Sequence, residues 1–359
     1  MSRPLRILLS CPPTRRCSSF VSRMRLVNRL KADDDACAAA LHGGRIFLFH
    51  SLSPLLQRTD RGTFRTSALT GSDLQSILKK LGSDESLLKE SVLIGCSEQN
   101  QAQFCLDVGK NTVNPGYSRF WSCSGLCSGE LDQAAVEEQC GGTFVDLRKA
   151  FFLLTSAEAP LVAKGQALLR WHQTNRFCSA TGQPTHRNQA GSQRFCSSGS
   201  AIYYPKMSPV VIVLVSDGTR CLLGRQASFP RGMYSALAGF CDMGETLEEA
   251  LCREVAEEVG LEVQNISYSS SQHWPFPHSS FMLGCHASVS PAHSQLNVDH
   301  SELEDARWFS LDEITCALQV KSPPRRGDPP VLWLPPPHAV ANRLIREWVD
   351  RQRRGEDRP

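Results

Sequence analysis

The chain has 359 residues, 41% of them hydrophobic and 21% charged, a globular composition long enough for two or three domains. No apolar run approaches the roughly 20 residues that span a bilayer; the longest is 210–215, so a soluble protein with no membrane partner is expected. The formal net charge of +3 hides an asymmetry: residues 1–32 hold eight basic residues and no acid, and the remainder alone is at −5. That acidic remainder carries no basic stripe, which argues against stable nucleic-acid binding. Fifteen cysteines, odd in number and scattered, read as thiols in a reducing compartment rather than as a disulfide scaffold.

Residues 1–32 are basic, acid-free and serine-bearing, the composition of a mitochondrial presequence, and imply a matrix protein. Residues 33–45 lack a clear pattern. Residues 46–49, 92–94 and 104–108 read as buried strands. A helix is predicted over 73–80, with Leu74, Ile77, Leu78 and Leu81 on one side. Residues 144–175 are mostly helical by spacing, through Leu147, Ala150, Phe151 and Leu154 and then, beyond Pro160, Ala163, Ala167, Leu168 and Trp171. Together these predict an N-terminal α/β domain over 35–160 without obvious catalytic residues. A helix and a polar hairpin follow over 165–202. A second domain is predicted over 203–350. It opens with a core strand at 209–215, a turn at Asp217-Gly218 and a return strand at 220–225. A glycine loop and an acidic helix come next, then strands near 263–268, 281–289 and 306–309. A proline-rich loop at 323–337, a last helix over 339–351 and a charged tail over 351–359 complete the chain.

The chemistry concentrates between Gly239 and Leu261. Glu254, Glu257 and Glu258 stand at positions i, i+3 and i+4 of the acidic helix, on one side of it. Thr246 and Glu249 have capping-box spacing and start that helix. Carboxylates about 5–6 Å apart repel by roughly 3 kcal/mol per pair at an effective dielectric near 20. Partly buried, such a cluster is strained without a cation; fully solvated, it is an ordinary acidic face. Hard oxygen donors of this kind suit Mg²⁺ or Mn²⁺, which also bind phosphate.

The spaced pattern Gly239, Glu245, Arg253, Glu254, Val255, Glu257, Glu258, Gly260, Leu261 resembles the signature of the Nudix hydrolases at every fixed position. The resemblance implies an α/β/α Nudix sandwich with a mixed sheet, preceded by a smaller N-terminal α/β domain and a degenerate zinc-ribbon hairpin. It implies Mg²⁺- or Mn²⁺-dependent hydrolysis, with Glu254 and Glu258 as direct ligands, Glu257 a ligand or close to one, and Glu302 an additional metal-binding residue. Glu257 or Glu258 would deprotonate the attacking water. Arg253 would buttress the cluster through Glu245 or Glu257.

A second resemblance lies in Ser271-Gln272-His273-Trp274-Pro275-Phe276-Pro277-His278-Ser279. It is similar to an array of the NADH pyrophosphatase branch, with His273 where the branch has a proline, a change that loosens one rigid bond. The aromatic rings of Trp274 and Phe276 are suited to a base or nicotinamide; Gln272 and Ser279 offer hydrogen bonds. Tyr204 and Ala238 before the signature, and Ala341 in the C-terminal motif, complete the implied substrate-binding set. The branch implies a dinucleotide substrate, NADH and NADPH in particular, and a possible homodimer. Hydrolysis of ADP-ribose or of NAD-capped RNA, or a nucleotide-binding module without catalysis, are the alternatives. The branch's zinc ribbon has two Cys-x2-Cys knuckles. Here they read Cys178-Ser-Ala-Thr181 and Cys196-Ser-Ser-Gly199, and two thiolates cannot complete a tetrahedral site, so no structural zinc is expected.

Overall fold

The structure, a computed structural model, describes residues 15–67, 69–109, 131–199, 201–320 and 331–355, without the side chains of 15–18. The first part of the expected presequence, most of the proline-rich loop and the end of the tail lie outside these residues. The chain divides into two compact units, Met1–Pro205 and Lys206–Pro359.

Unit 1 contains β1 (Arg45–His50), β2 (Ser53–Arg58), β3 (Phe64–Thr66), β4 (Val92–Cys96), β5 (Ala102–Asp107) and β6 (Thr143–Phe144). They form one mixed sheet in the order β3-β2-β1-β5-β4, with β6 added on β2 and a parallel pair at β1–β5. Its helices are α1 (Arg15–Ala32), α2 (Asp34–Gly43), α3 (Gly71–Lys80), α4 (Gln133–Cys140), α5 (Leu147–Leu153) and α6 (Ala159–Thr174). Ile46 and Leu48 bury against Leu41 of α2 and Leu74, Ile77 and Leu78 of α3. Phe49 and Cys105, which alternation points to the opposite face, pack on Gly165 of α6.

The stretch 33–45, unpatterned in sequence, is the helix α2. Asp33 caps it by accepting from the Ala36 amide at 2.9 Å, and Cys37 and Leu41, one turn apart, are buried. A run of alanines between them blurs the apolar period while favouring the helix. Within the expected presequence, residues 1–32, packing already begins on α1. Leu30 is 1% exposed in the unit 1 core, Leu26 and Val27 pack beside it, and the Asn188 side-chain amide donates to the Lys31 carbonyl at 3.1 Å. The packed unit therefore begins within α1.

The hairpin region is a three-stranded sheet of β7 (Thr185–Arg187), β8 (Arg194–Cys196) and β9 (Ile202–Tyr203). Both knuckle turns persist: the Gly182 amide donates to the Cys178 carbonyl and the Gly199 amide to that of Cys196. Cys178 and Cys196 are buried. The Cys178 thiol meets the Tyr203 hydroxyl at 3.1 Å, while Cys196 meets the Ser198 hydroxyl at 3.0 Å and that of Thr181 at 3.4 Å.

Unit 2 holds β10 (Ser208–Ser216), β11 (Arg220–Arg225), β12 (Leu237–Phe240), β13 (Gln264–Trp274), β14 (Ser280–Ser288) and β15 (Asp305–Ser310), with α7 (Leu247–Val259), α8 (Leu311–Ala317) and α9 (Val340–Arg354). The sheet runs β13-β14-β10-β11-β15, and β12 pairs antiparallel with β10. Only the β10–β14 pair is parallel among the pairings of this sheet's described strands. The unbroken apolar run of β10 reflects cover on both faces. Val211, Val213 and Val215 pack against Ala250, Leu251, Val255 and Val259 of α7. Ile212 and Leu214 pack against Ile314 of α8 and Leu344, Ile345 and Trp348 of α9. Helices on both faces of a mixed sheet are the sandwich expected.

Candidate active site

Three local decisions place the acidic helix. Thr246 is its N-cap: the Thr246 hydroxyl accepts from the Glu249 amide at 3.2 Å, and the Glu249 carboxylate accepts from the Thr246 amide at 2.8 Å. Gly260, at φ +69°, ends it in the left-handed conformation. Burial of Ala250, Leu251, Val255 and Val259 under the sheet then sets its rotation. In that rotation Glu254 and Glu258 lie at the inner edge, 9% and 3% exposed, while Glu257 points outward.

Gly239 is the counterpart on β12. A Cβ at this position would fall inside the Glu254 carboxyl group, so only glycine lets strand and acid approach this closely. Five residues on, Gly244 takes φ +98° and turns the loop into the helix.

Arg253 organises the loop. Its Nε donates to Glu245 Oε1 at 2.6 Å and its Nη1 to Glu254 Oε1 at 3.0 Å and Glu257 Oε2 at 2.9 Å. Its Nη2 donates to Glu245 Oε2 at 2.9 Å and to the Phe240 carbonyl at 2.8 Å. The sequence left its partner open between Glu245 and Glu257; one guanidinium takes both, and Glu254 as well. The Arg253 bonds, with one from the Asp242 amide, hold the Glu245 carboxyl down at about 2. The Phe240 carbonyl is a partner that no side-chain pattern could reveal, because it is backbone.

Glu258 is the opposite case. Its Oε2 is buried without a hydrogen-bond partner. Burial, then the charges of Glu254, Glu302 and Glu257, push its carboxyl up to about 8. Burial also raises Glu254, against the pull of Arg253. Glu302 is brought to the cluster by a return of the chain: the Asp299 amide donates to the Glu258 carbonyl at 2.9 Å, and the Glu302 amide to that of Asp299 at 3.2 Å. Among the described residues no three acidic, histidine or cysteine side chains stand as a closed cage. A buried, unpartnered carboxylate oxygen among three further carboxylates nevertheless fits a hard divalent cation, whose charge would offset their repulsion.

The aromatic array splits between two elements. Ser271 to Trp274 are the end of β13, with His273 paired to Phe281 of β14 and Trp274 to Ser280. His273, where the branch has a proline, is thus held in the sheet, and its Nε2 lies 2.9 Å from the Ser279 hydroxyl. Trp274 and Phe276 meet edge to face, centroids 5.6 Å apart. Two of the expected substrate contacts have another use. Gln272 donates from its amide to the His338 carbonyl at 2.6 Å and accepts from the Val340 amide at 2.8 Å, tying β13 to the start of α9. Ala341 is buried in the core beneath that helix. Ala238 pairs with Ile212 on β12, one residue before Gly239, and is partly exposed. Tyr204 is exposed and belongs to unit 1.

A glycine-turned loop, an arginine-braced acidic helix and a mixed-sheet sandwich define a hydrolase of phosphoric anhydrides. Comparison with known proteins sharpens this. The NUDIX domain model matches residues 205–329, the NADH pyrophosphatase-like rudimentary NUDIX domain model 43–171, and the NADH pyrophosphatase zinc ribbon domain model 173–204. The mitochondrial NAD(P)H pyrophosphatase NUDT13 of Mus musculus is 49% identical over 337 residues, 93% of this chain and 92% of that protein. Its Homo sapiens counterpart is likewise 49% identical, over 338 residues and the same shares of both chains. The NAD-capped RNA hydrolase NUDT12 of Homo sapiens is 39% identical over 56% of this chain and 44% of its own. A NUDIX hydrolase of known structure from Nitrosomonas europaea covers 51% of this chain and 94% of its own at 19% identity, with a TM-score of 0.37. The chain belongs to the Nudix hydrolase family, in its NADH pyrophosphatase branch.

Proposed function

We propose that the protein hydrolyses the pyrophosphate bond of NADH and NADPH, yielding reduced nicotinamide mononucleotide with AMP or 2′-phospho-AMP. The observation that carries this is the buried Glu258 carboxylate, with one oxygen unpartnered, facing the charges of Glu254, Glu302 and Glu257. Two relatives matching nearly the whole chain are named for NAD(P)H pyrophosphatase activity, which supports the choice of substrate.

Glu254, Glu258 and Glu302 would hold Mg²⁺ or Mn²⁺, which when bound neutralises phosphate charge and acidifies water. Glu257 is exposed and bonded to Arg253 through Oε2, leaving Oε1 to accept the proton of the attacking water. Arg253 holds Glu245, Glu254 and Glu257 in place through its hydrogen bonds. Trp274 and Phe276 offer flat surfaces for the nicotinamide or adenine, with Ser279 and Ala238 as further contacts. Location in the mitochondrial matrix fits the basic N-terminal composition and the mitochondrial relatives; a leader then ends upstream of the packed Leu26.

A competition assay tests the substrate. Protein with Mn²⁺ and equimolar NADH, NADPH, NAD⁺, ADP-ribose and an NAD-capped oligoribonucleotide is expected to consume the two reduced dinucleotides fastest. Preferential loss of ADP-ribose or of the capped RNA would replace this reading with the other.

The ribbon carries no structural zinc in this proposal, because the second ligand of each knuckle is Thr181 or Gly199. Metal analysis of the purified chain is expected to find well under one zinc per molecule. One equivalent, released on Cys178→Ala substitution, would contradict it.

A further inference from the structure

Unit 1 has a cavity of its own, about 440 Å³, within the range of small-molecule sites. Its floor is apolar, built from Leu56 of β2, Phe64 of β3 and Leu153 of α5. Gly142, past the end of α4, forms one wall. A Cβ there would meet the Leu56 carbonyl at 2.8 Å, so the close approach of this turn to β2 requires glycine. The lining also includes two cations, Arg58 and Lys149. Both are exposed, and neither side chain makes an ion pair or hydrogen bond among the described residues. Two other arginines of this unit are engaged: Arg45 on Thr66 and Ser67, Arg187 on Glu90.

Two unpaired, exposed cations in the lining of an otherwise apolar cavity are complementary to one kind of occupant. An anionic group would bridge them, accepting from the guanidinium fork and lying against the ammonium. An apolar or planar body would cover Leu56, Phe64 and Leu153. We propose that this cavity is a binding site for a small amphipathic anion, a single phosphate or carboxylate carried on an apolar or planar body. A nucleoside monophosphate and a medium-chain acyl carboxylate share that chemistry. The inference does not depend on the reaction proposed above.

Titration calorimetry on the full chain without divalent cation tests it, with AMP, octanoate and inorganic phosphate as probes. The variants are Arg58→Ala and Lys149→Ala, with Arg61→Ala as an exposed basic control that does not line the cavity. Saturable one-to-one binding of AMP or of octanoate is expected. Either cavity variant should weaken it roughly tenfold, the scale of one charge-assisted hydrogen bond, and the control should leave it unchanged. Which probe binds identifies the phosphate or the carboxylate as the group recognised. Three results would overturn the proposal: no binding of either probe, an affinity that both cavity variants leave unchanged, or inorganic phosphate binding as tightly as AMP.

Discussion

Glu258→Gln is expected to cut turnover about 10²- to 10³-fold, the cost of removing one preorganised electrostatic group, while leaving the protein as stable as before or more so. The two signs come from one geometry. The carboxylate is 3% exposed, has one oxygen without a partner, and faces Glu254, Glu257 and Glu302. With the carboxyl pushed up to about 8, the metal-free fold must hold a proton that the unfolded chain releases at neutral pH, and a neutral amide of the same shape removes that cost. The same change removes the charge on which cation binding depends. Thermal unfolding without divalent metal, beside steady-state kinetics with it, reads both signs. A variant that loses activity only because it unfolds at lower temperature would place Glu258 in the structural core instead.

Gly239→Ala is expected to be nearly as damaging, through space rather than charge. The added methyl would occupy the position of the Glu254 carboxyl group. Either Glu254 must swing out of the cluster or β12 must move away from β10, with which Gly239 pairs at Val211. A displacement of about 1 Å at a catalytic group costs on the order of 10²-fold, and overpacking costs about 1–3 kcal/mol of stability. Kinetics and a urea melt check the two effects. Near-normal turnover would mean that the close approach of Gly239 to Glu254 is not needed for activity.

The parts of this molecule that sequence alone made legible are those where one local rule acts. The apolar run 209–215 is long enough to demand cover on both faces, and β10 has it. Thr246 and Glu249 have capping-box spacing and form that box, and Gly260, one of the nine spaced residues, ends the helix. Less legible were features decided by distant packing. Leu30 sits in a stretch whose charge reads as a leader, yet its side chain belongs to the unit 1 core. Gln272 sits in a substrate-like array, but its amide bonds to the backbone of residues 338 and 340. Ala341, which the resemblance places near the substrate, is a buried member of the core around α9. The four-residue β12 was missed because Leu237-Ala238-Gly239-Phe240 has no strand-like alternation; its pairing with β10 creates the strand.

Product chromatography tests the central claim most directly. The protein and its Glu258→Gln variant would each be incubated with NADH and Mg²⁺, and the mononucleotides separated and quantified. The account predicts equal amounts of AMP and reduced nicotinamide mononucleotide from the protein, and at least about 10²-fold slower release from the variant. Equal release from both, or intact NADH after incubation with folded, Mn²⁺-binding protein, would contradict it.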